Sequence, residues 1–356
     1  MKSQIEINNQ KIGFDKPTYF IADIAANHDN DIEKAKDLIY LCAESGADAA
    51  KFQHFSADTI VSDYGYKSLG SQKSHQAKWK KSVFEVYQDA AINPDWTEVL
   101  KETCDKAGIT FFTSPYSFDL VDAVDPYVPA YKIGSGDITW LEIIKYMALK
   151  GKPILLATGA SSEKDVRAAV DIALSVTKDI VLMQCNTNYT ASVENFKFIN
   201  LNVLKTYKHL YPDIILGLSD HTKGHTTVLG AVALGARVIE KHFTDNTAKK
   251  GPDHAFSMDP LTWRDMVDRT RELEAALGIP DKRVMDNELE TVVIQRRAIR
   301  TTRSIKAGEN LRQADLEVLR PCPFDALPPH QIGQIIGKAV TRNIEKGDCI
   351  RLIDLK

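Results

Sequence analysis

Eight short apolar segments, each followed by a helix-like stretch, recur along this chain, and polar residues stand at nearly every C-terminal end. They read 19–23 (YFIAD), 48–52 (DAAKF), 110–114 (TFFTS), 130–134 (AYKIG), 153–157 (PILLA), 180–184 (IVLMQ), 214–218 (IILGL) and 238–242 (VIEKH). Runs rich in Val, Ile and Phe that alternate with amphipathic helices predict parallel βαβ units. Eight such units close into an α/β fold, the (β/α)8 TIM barrel, whose chemistry lies where the strands end. Here those ends supply Asp23, Lys51, Gln53, Ser114, Lys132, Ser135, Thr158, Asn186, Ser219, His221 and His242. Core packing does not need that set; an active site does.

A chain of 356 residues accommodates a barrel of about 250 residues and one small further domain. Helices are expected over 31–45, 95–107, 162–176, 225–235 and 261–277. The stretch 161–165 (SSEKD) is a good N-terminal cap. Residues 3–13 alternate around Asn8–Asn9 and predict a hairpin that plugs the barrel bottom. The barrel domain is therefore expected over 1–278 and a linker over 279–295. Residues 296–356, punctuated by Gly and Pro, read as a compact β-rich module. Within it SIKAGENLRQADLEVLRP and GKAVTRNIEKGDCIRLIDL resemble two halves of a repeat. A long polar excursion, 56–93, holds Tyr64, Tyr66, Ser71, Gln72, Lys73, His75 and Gln76; loops of this kind above strand ends shape a pocket or form a lid.

Charge excludes some functions. Lys and Arg number 45 against 48 Asp and Glu, so no bulk basic surface calls for nucleic acid. No run approaches the roughly 20 apolar residues of a membrane span, and the first residues are polar, unlike a signal peptide. Five cysteines without CxxC spacing suit reduced thiols in a cytoplasmic setting.

The strand ends then divide by chemistry. His221 (SDHT) and His242 (EKHFT) close consecutive strands, where two imidazoles reach one divalent ion and leave positions for water or substrate oxygen. Asp23 and Asp253 are candidates to complete or orient that shell. Lys51 and Lys132 lie in apolar strands, where an unpaired ammonium is costly, so each is expected to meet an anion or form a Schiff base. The hydroxyls and glycines around them favour an anion. Asp137 and Asp253 are acid–base candidates, whereas Asp220 reads as a residue that orients its own turn.

With those residues in place, the chain resembles the sialic acid (N-acetylneuraminate) synthase family of phosphoenolpyruvate-dependent nonulosonate synthases. The motifs are IADIAANHDN (21–30), KFQ (51–53), FFTSP (111–115), YKIGSGD (131–137), KPILLATG (152–159), GLSDHT (217–222), EKHFTD (240–245) and GPDHAFSM (251–258). The last module resembles the antifreeze-protein-like (SAF) domain of these synthases, with LRP at 319–321. The resemblance implies condensation of phosphoenolpyruvate with an N-acylated mannose-type sugar in the cytoplasm, with loss of phosphate by C–O cleavage. It implies a divalent metal on His221 and His242: manganese foremost, magnesium or cobalt as alternatives. It further implies catalytic roles for Asp23, Lys51, Lys132 and Asp137. Substrate contacts would come from Gln53, Ser114, Ser135, Thr158, Asn186, Thr187, Tyr189, Ser219, Asp253 and Arg320. Arg320 would reach the partner's site in a homodimer with exchanged C-terminal domains.

The departures are Asp at 23 and 137, where neuraminate-forming members carry Glu, and Ala157 in place of a serine. They suggest a legionaminate-type synthase acting on a 2,4-diacetamido-2,4,6-trideoxymannose. The rivals are a Schiff-base aldolase using Lys132 and a non-catalytic sugar- or ice-binding protein.

Overall fold

The computed structural model describes residues 4–69, 76 and 79–356. The chain divides into two compact units, Met1–Gly278 and Ile279–Lys356. The first opens with an antiparallel hairpin, β1 (Gln4–Ile7) and β2 (Gln10–Gly13), turned by Asn8 and Asn9, both at positive φ. That is the backbone a two-residue type I′ turn demands and asparagine tolerates. Eight parallel strands follow: β3 (Tyr19–Asp23), β4 (Ala49–His54), β5 (Thr110–Pro115), β6 (Tyr131–Ile133), β7 (Ile154–Ala157), β8 (Ile180–Cys185), β9 (Ile215–Asp220) and β10 (Val238–His242). Their ladder runs β5-β4-β3-β10-β9-β8-β7-β6, and β5 packs beside β6 to complete the (β/α)8 ring.

Each strand is followed by a helix on the outside. The five expected helices form over Ile32–Glu44, Thr97–Ala107, Glu163–Leu174, Thr226–Ala233 and Pro260–Leu277. Ser162 and Asp165 make the capping box that the SSEKD run predicts. Three shorter helices, Phe118–Val124, Leu141–Leu149 and Val203–Leu210, fill the remaining positions.

Strand alternation sorts the core into two layers. Phe20, Ala22, Ala50, Phe52, Phe111, Ile133, Leu156, Leu182, Leu216 and Ile239 point outward and pack under the helices. Tyr19, Ile21, Ala49, Phe112, Leu155, Val181, Met183, Ile215 and Val238 point inward, and the hairpin's Ile5, Ile7 and Ile12 close the barrel bottom against them. Inward positions further along the same strands carry the polar residues described below.

The 56–93 excursion is not a plain loop: it forms helices over Ala57–Ile60, Asp63–Ser68 and Val83–Ala90. Ser71, Gln72, Lys73 and His75 lie outside the described residues. Among the described residues no helix is long and apolar enough to cross a membrane.

The second unit carries a helix over Leu289–Gln295, the antiparallel pair β11 (Ala298–Thr301) and β12 (Leu316–Leu319), and a network of single bridges. The sequence repeat is structural. Ile305 and Ile344 exchange backbone hydrogen bonds at 2.8 Å in both directions. Arg303 pairs with buried Asp315 at 2.8 Å, and Arg342 with buried Asp354 at 2.6 Å. Gly308 and Gly347 occupy the matching turns at φ +89° and +85°, a conformation that favours glycine.

Candidate active site

Period-two alternation decides which strand-end residues face the barrel interior. On β3 and β4 it turns Asp23, Lys51 and Gln53 inward, with Asp23 and Lys51 paired in register. Lys51 Nζ meets Asp23 Oδ2 at 2.6 Å, and Gln53 Nε2 donates to the same oxygen at 3.1 Å. From the far wall Lys132 Nζ stands 3.3 Å from Glu240 Oε1, while Glu240 Oε2 lies 3.9 Å from Lys51 Nζ. Ser219 Oγ donates to Glu240 Oε1 at 3.1 Å. Burial alone would lower the Lys51 ammonium, but Asp23 and then Glu240 more than offset it and raise it. Burial would raise Glu240, but Lys132 and Lys51 hold it below the ordinary carboxylate range.

Above this cluster the two histidines converge. Their ring centroids are 5.4 Å apart, and His242 Nε2 is 3.6 Å from Asp23 Oδ2. Two imidazoles bound to one ion at about 2.0–2.1 Å per nitrogen would have centroids roughly 5 Å apart, so the pair fits a shared divalent cation. Burial, reinforced by the charges of His221, Lys51 and Lys132, pushes His242 well below its usual value, which keeps one ring nitrogen's lone pair free. His242 Nδ1 is buried without a hydrogen-bond partner. His221 Nδ1 lies 3.0 Å from the Asn186 carbonyl and donates there; burial would lower this imidazole, but hydrogen bonding to Cys185 raises it, and in its neutral form Nε2 carries the lone pair. Among the described residues no group of three or more His, Cys, Asp and Glu could hold a metal, so an ion bound here would take its protein ligands from the two imidazoles. Tyr189 abuts His221 at 4.4 Å between ring centroids, and Phe256 abuts His242 at 4.8 Å.

The other expected residues divide. Ser114 is inward, and its buried Oγ has no partner, as a donor awaiting an anion would be. Ser135 Oγ accepts from Gly159 N at 3.0 Å. A Cβ on Gly159 would stand 1.9 Å from Thr187 Oγ1 and 2.9 Å from Ser135 Oγ, so these groups crowd one corner around a bare backbone. Asp253 Oδ2 accepts from Ala26 N at 3.1 Å, and burial raises its carboxyl to about 6. Burial also raises Asp137 to about 6, with Lys132 opposing.

Thr158 and Asn186 are not brought to this centre, and the reason is their odd step on the strand. Thr158 Oγ1 faces outward, bonding to the Met183 carbonyl at 3.0 Å and to Tyr207 OH at 3.1 Å. The Asn186 amide donates to the Phe198 carbonyl at 3.3 Å, so this residue serves the site only through its backbone. Both line an outer cavity of about 590 Å3 beside the helix that begins at Glu163. Asp220 shares their outward step: its carboxylate takes Lys241 Nζ, Thr222 Oγ1 and Thr227 Oγ1, a turn-orienting role. Arg320 is exposed at the end of β12 in the second unit.

Three residues escaped sequence reasoning. Glu240 lies mid-strand within EKHFT and shows its importance only once lysines from two other strands meet it. Cys185 holds the inward position after Met183, and hydrogen bonding to His221 holds its thiol below the usual value against burial. Tyr87, from the excursion, packs on Phe55 at 5.4 Å, and burial raises its phenol to about 12, with Tyr66, Asp253 and Asp137 adding repulsion.

Comparison with known proteins now bears on this arrangement. The model of the NeuB family matches residues 38–282, and that of the SAF domain matches 296–356. The chain belongs to the NeuB family. It is 33% identical to the N,N'-diacetyllegionaminic acid synthase of Legionella pneumophila, over 96% of this chain and 97% of that one. It is 30% identical to the human N-acetylneuraminate-9-phosphate synthase, over 95% and 93% respectively. The crystal structure of an N-acetylneuraminic acid synthetase from Leptospira borgpetersenii, in complex with citrate, superposes with a TM-score of 0.71 at 27% identity. That match covers 82% of this chain and 96% of that one. As a NeuB-family member the chain is an enzyme, a nonulosonic acid synthase. Its relatives make different products at similar identity, so the choice of sugar rests on the site itself.

Proposed function

We propose that this enzyme condenses phosphoenolpyruvate with an N-acylated mannose-type aldose, giving a nonulosonic acid and phosphate. The observation that carries the proposal is an imidazole pair 5.4 Å apart that meets Lys51 through Asp23, with Lys132 joined to Lys51 across Glu240, in one barrel mouth. His221 and His242 would hold a divalent cation, manganese foremost, with magnesium or cobalt as alternatives. When bound, it supplies Lewis-acid polarisation of the sugar aldehyde.

The chain's own groups do the rest. Lys51 and Lys132 neutralise the phosphate and carboxylate of the enol in a site from which water is largely excluded, where such charges act strongly. Ser114 Oγ donates to that anion, and Ser135 and Thr187 border it beside Gly159. Gln53, Tyr189 and Asp253 contact the sugar. Carbon 3 of the enol attacks the aldehyde, water adds at carbon 2, and the tetrahedral product expels phosphate. A carboxyl near pKa 6 suits proton transfer at neutral pH, which favours Asp137 and Asp253 as the groups that hold or move that water's proton. The chain works as a cytoplasmic homodimer whose SAF domains, 296–356 after a 279–295 linker, are exchanged so that Arg320 meets the partner's sugar.

Sugar-dependent release of phosphate from phosphoenolpyruvate, with N-acetylmannosamine and Mn2+ present, tests this reading. Equal release without sugar, or borohydride trapping of pyruvate on Lys132, would contradict it. The shorter carboxylates at 23 and 137 favour a second reading for the sugar, because each leaves one methylene of extra space. Faster turnover of 2,4-diacetamido-2,4,6-trideoxymannose than of N-acetylmannosamine supports that reading, and the opposite order removes it.

A further inference from the structure

Glu240 occupies a place at this centre that no substrate contact explains. It stands one inward step below His242 at 4% exposure. Oε1 takes the Ser219 hydroxyl at 3.1 Å and faces Lys132 Nζ at 3.3 Å, while Oε2 has no hydrogen-bond partner and lies 3.9 Å from Lys51 Nζ. Lys132 Nζ also donates a long hydrogen bond of 3.4 Å to the Ile133 carbonyl. Lys51 has Asp23 at 2.6 Å. Each lysine therefore faces a buried carboxylate at short range.

A phosphate entering this cradle must compete with Glu240 for the same N–H groups. That competition has a use. A bare pair of buried lysines would bind the departing phosphate as eagerly as the entering enol phosphate, and a step that binds product tightly slows turnover.

We propose that Glu240 is a positioning residue, a built-in counter-ion that stands against Lys51 and Lys132 and limits their grip on phosphate so that product leaves. The inference rests on the reading of those lysines as the anion cradle. It differs from a purely structural ion pair in the sign of one effect. Loss of a structural pair disorders the lysines and weakens anion binding; loss of a competing counter-ion strengthens it.

The test is calorimetric titration of the full chain with inorganic phosphate, together with steady-state kinetics. Glu240→Gln keeps shape and the Ser219 contact while removing the charge. It is expected to bind phosphate about tenfold more tightly, with lower kcat, lower KM for phosphoenolpyruvate and stronger inhibition by phosphate. Glu240→Asp, which draws the charge back from Lys132, is expected to fall between it and the wild type. Folded Glu240→Gln that binds phosphate equally or more weakly overturns the inference. If that variant does not fold, Glu240→Asp decides by the same sign. Wild-type protein that binds neither phosphate nor phosphoenolpyruvate overturns the cradle itself, and this inference with it.

Discussion

Asp220→Asn isolates the assignment of neighbouring residues to opposite sides of the barrel wall. Ser219 and His221 face the site, whereas Asp220, buried between them, faces the helices and balances Lys241, whose side chain is 1% exposed. The same carboxylate takes both threonine hydroxyls, Thr222 Oγ1 at 2.8 Å and Thr227 Oγ1 at 2.7 Å. Lys241 Nζ keeps only the Thr222 carbonyl, at 2.6 Å, once that charge is gone. Removing one member of a buried ion pair costs about 3–5 kcal/mol, because the partner's charge stays uncompensated. Asn retains the volume and one acceptor, so about 3 kcal/mol is expected. In a unit of this size that lowers Tm by about 5 °C. Lys241→Met added to Asp220→Asn removes the stranded charge and should recover most of the loss. Scanning calorimetry and urea unfolding of wild type, both single variants and the double variant measure the coupling directly. A single variant within 1 °C of wild type, or a double variant no better than the sum of the singles, would refute the orientation assigned here.

Three further outcomes follow from the same geometry. Burial lowers His28 and His54 each to about 4, while an unfolded chain protonates them near 6.5. Stability present at neutral pH is therefore lost as pH falls from about 6.5 to 4, about 3 kcal/mol for each histidine. His54→Gln should flatten that slope by one proton in urea titrations at several pH values; an unchanged slope sinks the idea. Gly159→Ala forces Thr187 and Ser135 aside, at an expected cost of about 1–3 kcal/mol and with a raised KM for phosphoenolpyruvate; wild-type kinetics would contradict it. Asp137, raised to about 6, is needed ionised to take a proton, so kcat/KM should fall below about pH 6. Asp137→Asn should flatten that limb while lowering the rate about 10²–10⁴-fold, and a limb that persists would assign it elsewhere.

The barrel was legible because eight buried strands and their capped helices each obey local rules, as Ser162–Asp165 and the Asn8–Asn9 turn show. Helices Phe118–Val124 and Val203–Leu210 were less legible, since two turns carry too few apolar repeats to display a period. At the site, residue type was readable and direction was not. Strand ends announced Lys51, Lys132, His221 and His242, yet a single step of parity separates inward Cys185 from outward Thr158 and Asn186. Glu240 was hidden for a different reason. A mid-strand carboxylate gains meaning only from Lys51 and Lys132, which arrive on strands distant in sequence.

Equilibrium dialysis of Mn2+, with and without phosphoenolpyruvate, reads out the ion that His221 and His242 would hold. Wild type should bind one ion per chain, more tightly when the enol phosphate fills the lysine cradle, and both His221→Ala and His242→Ala should lose it. Full Mn2+ occupancy in either folded variant would contradict a site built on those two imidazoles.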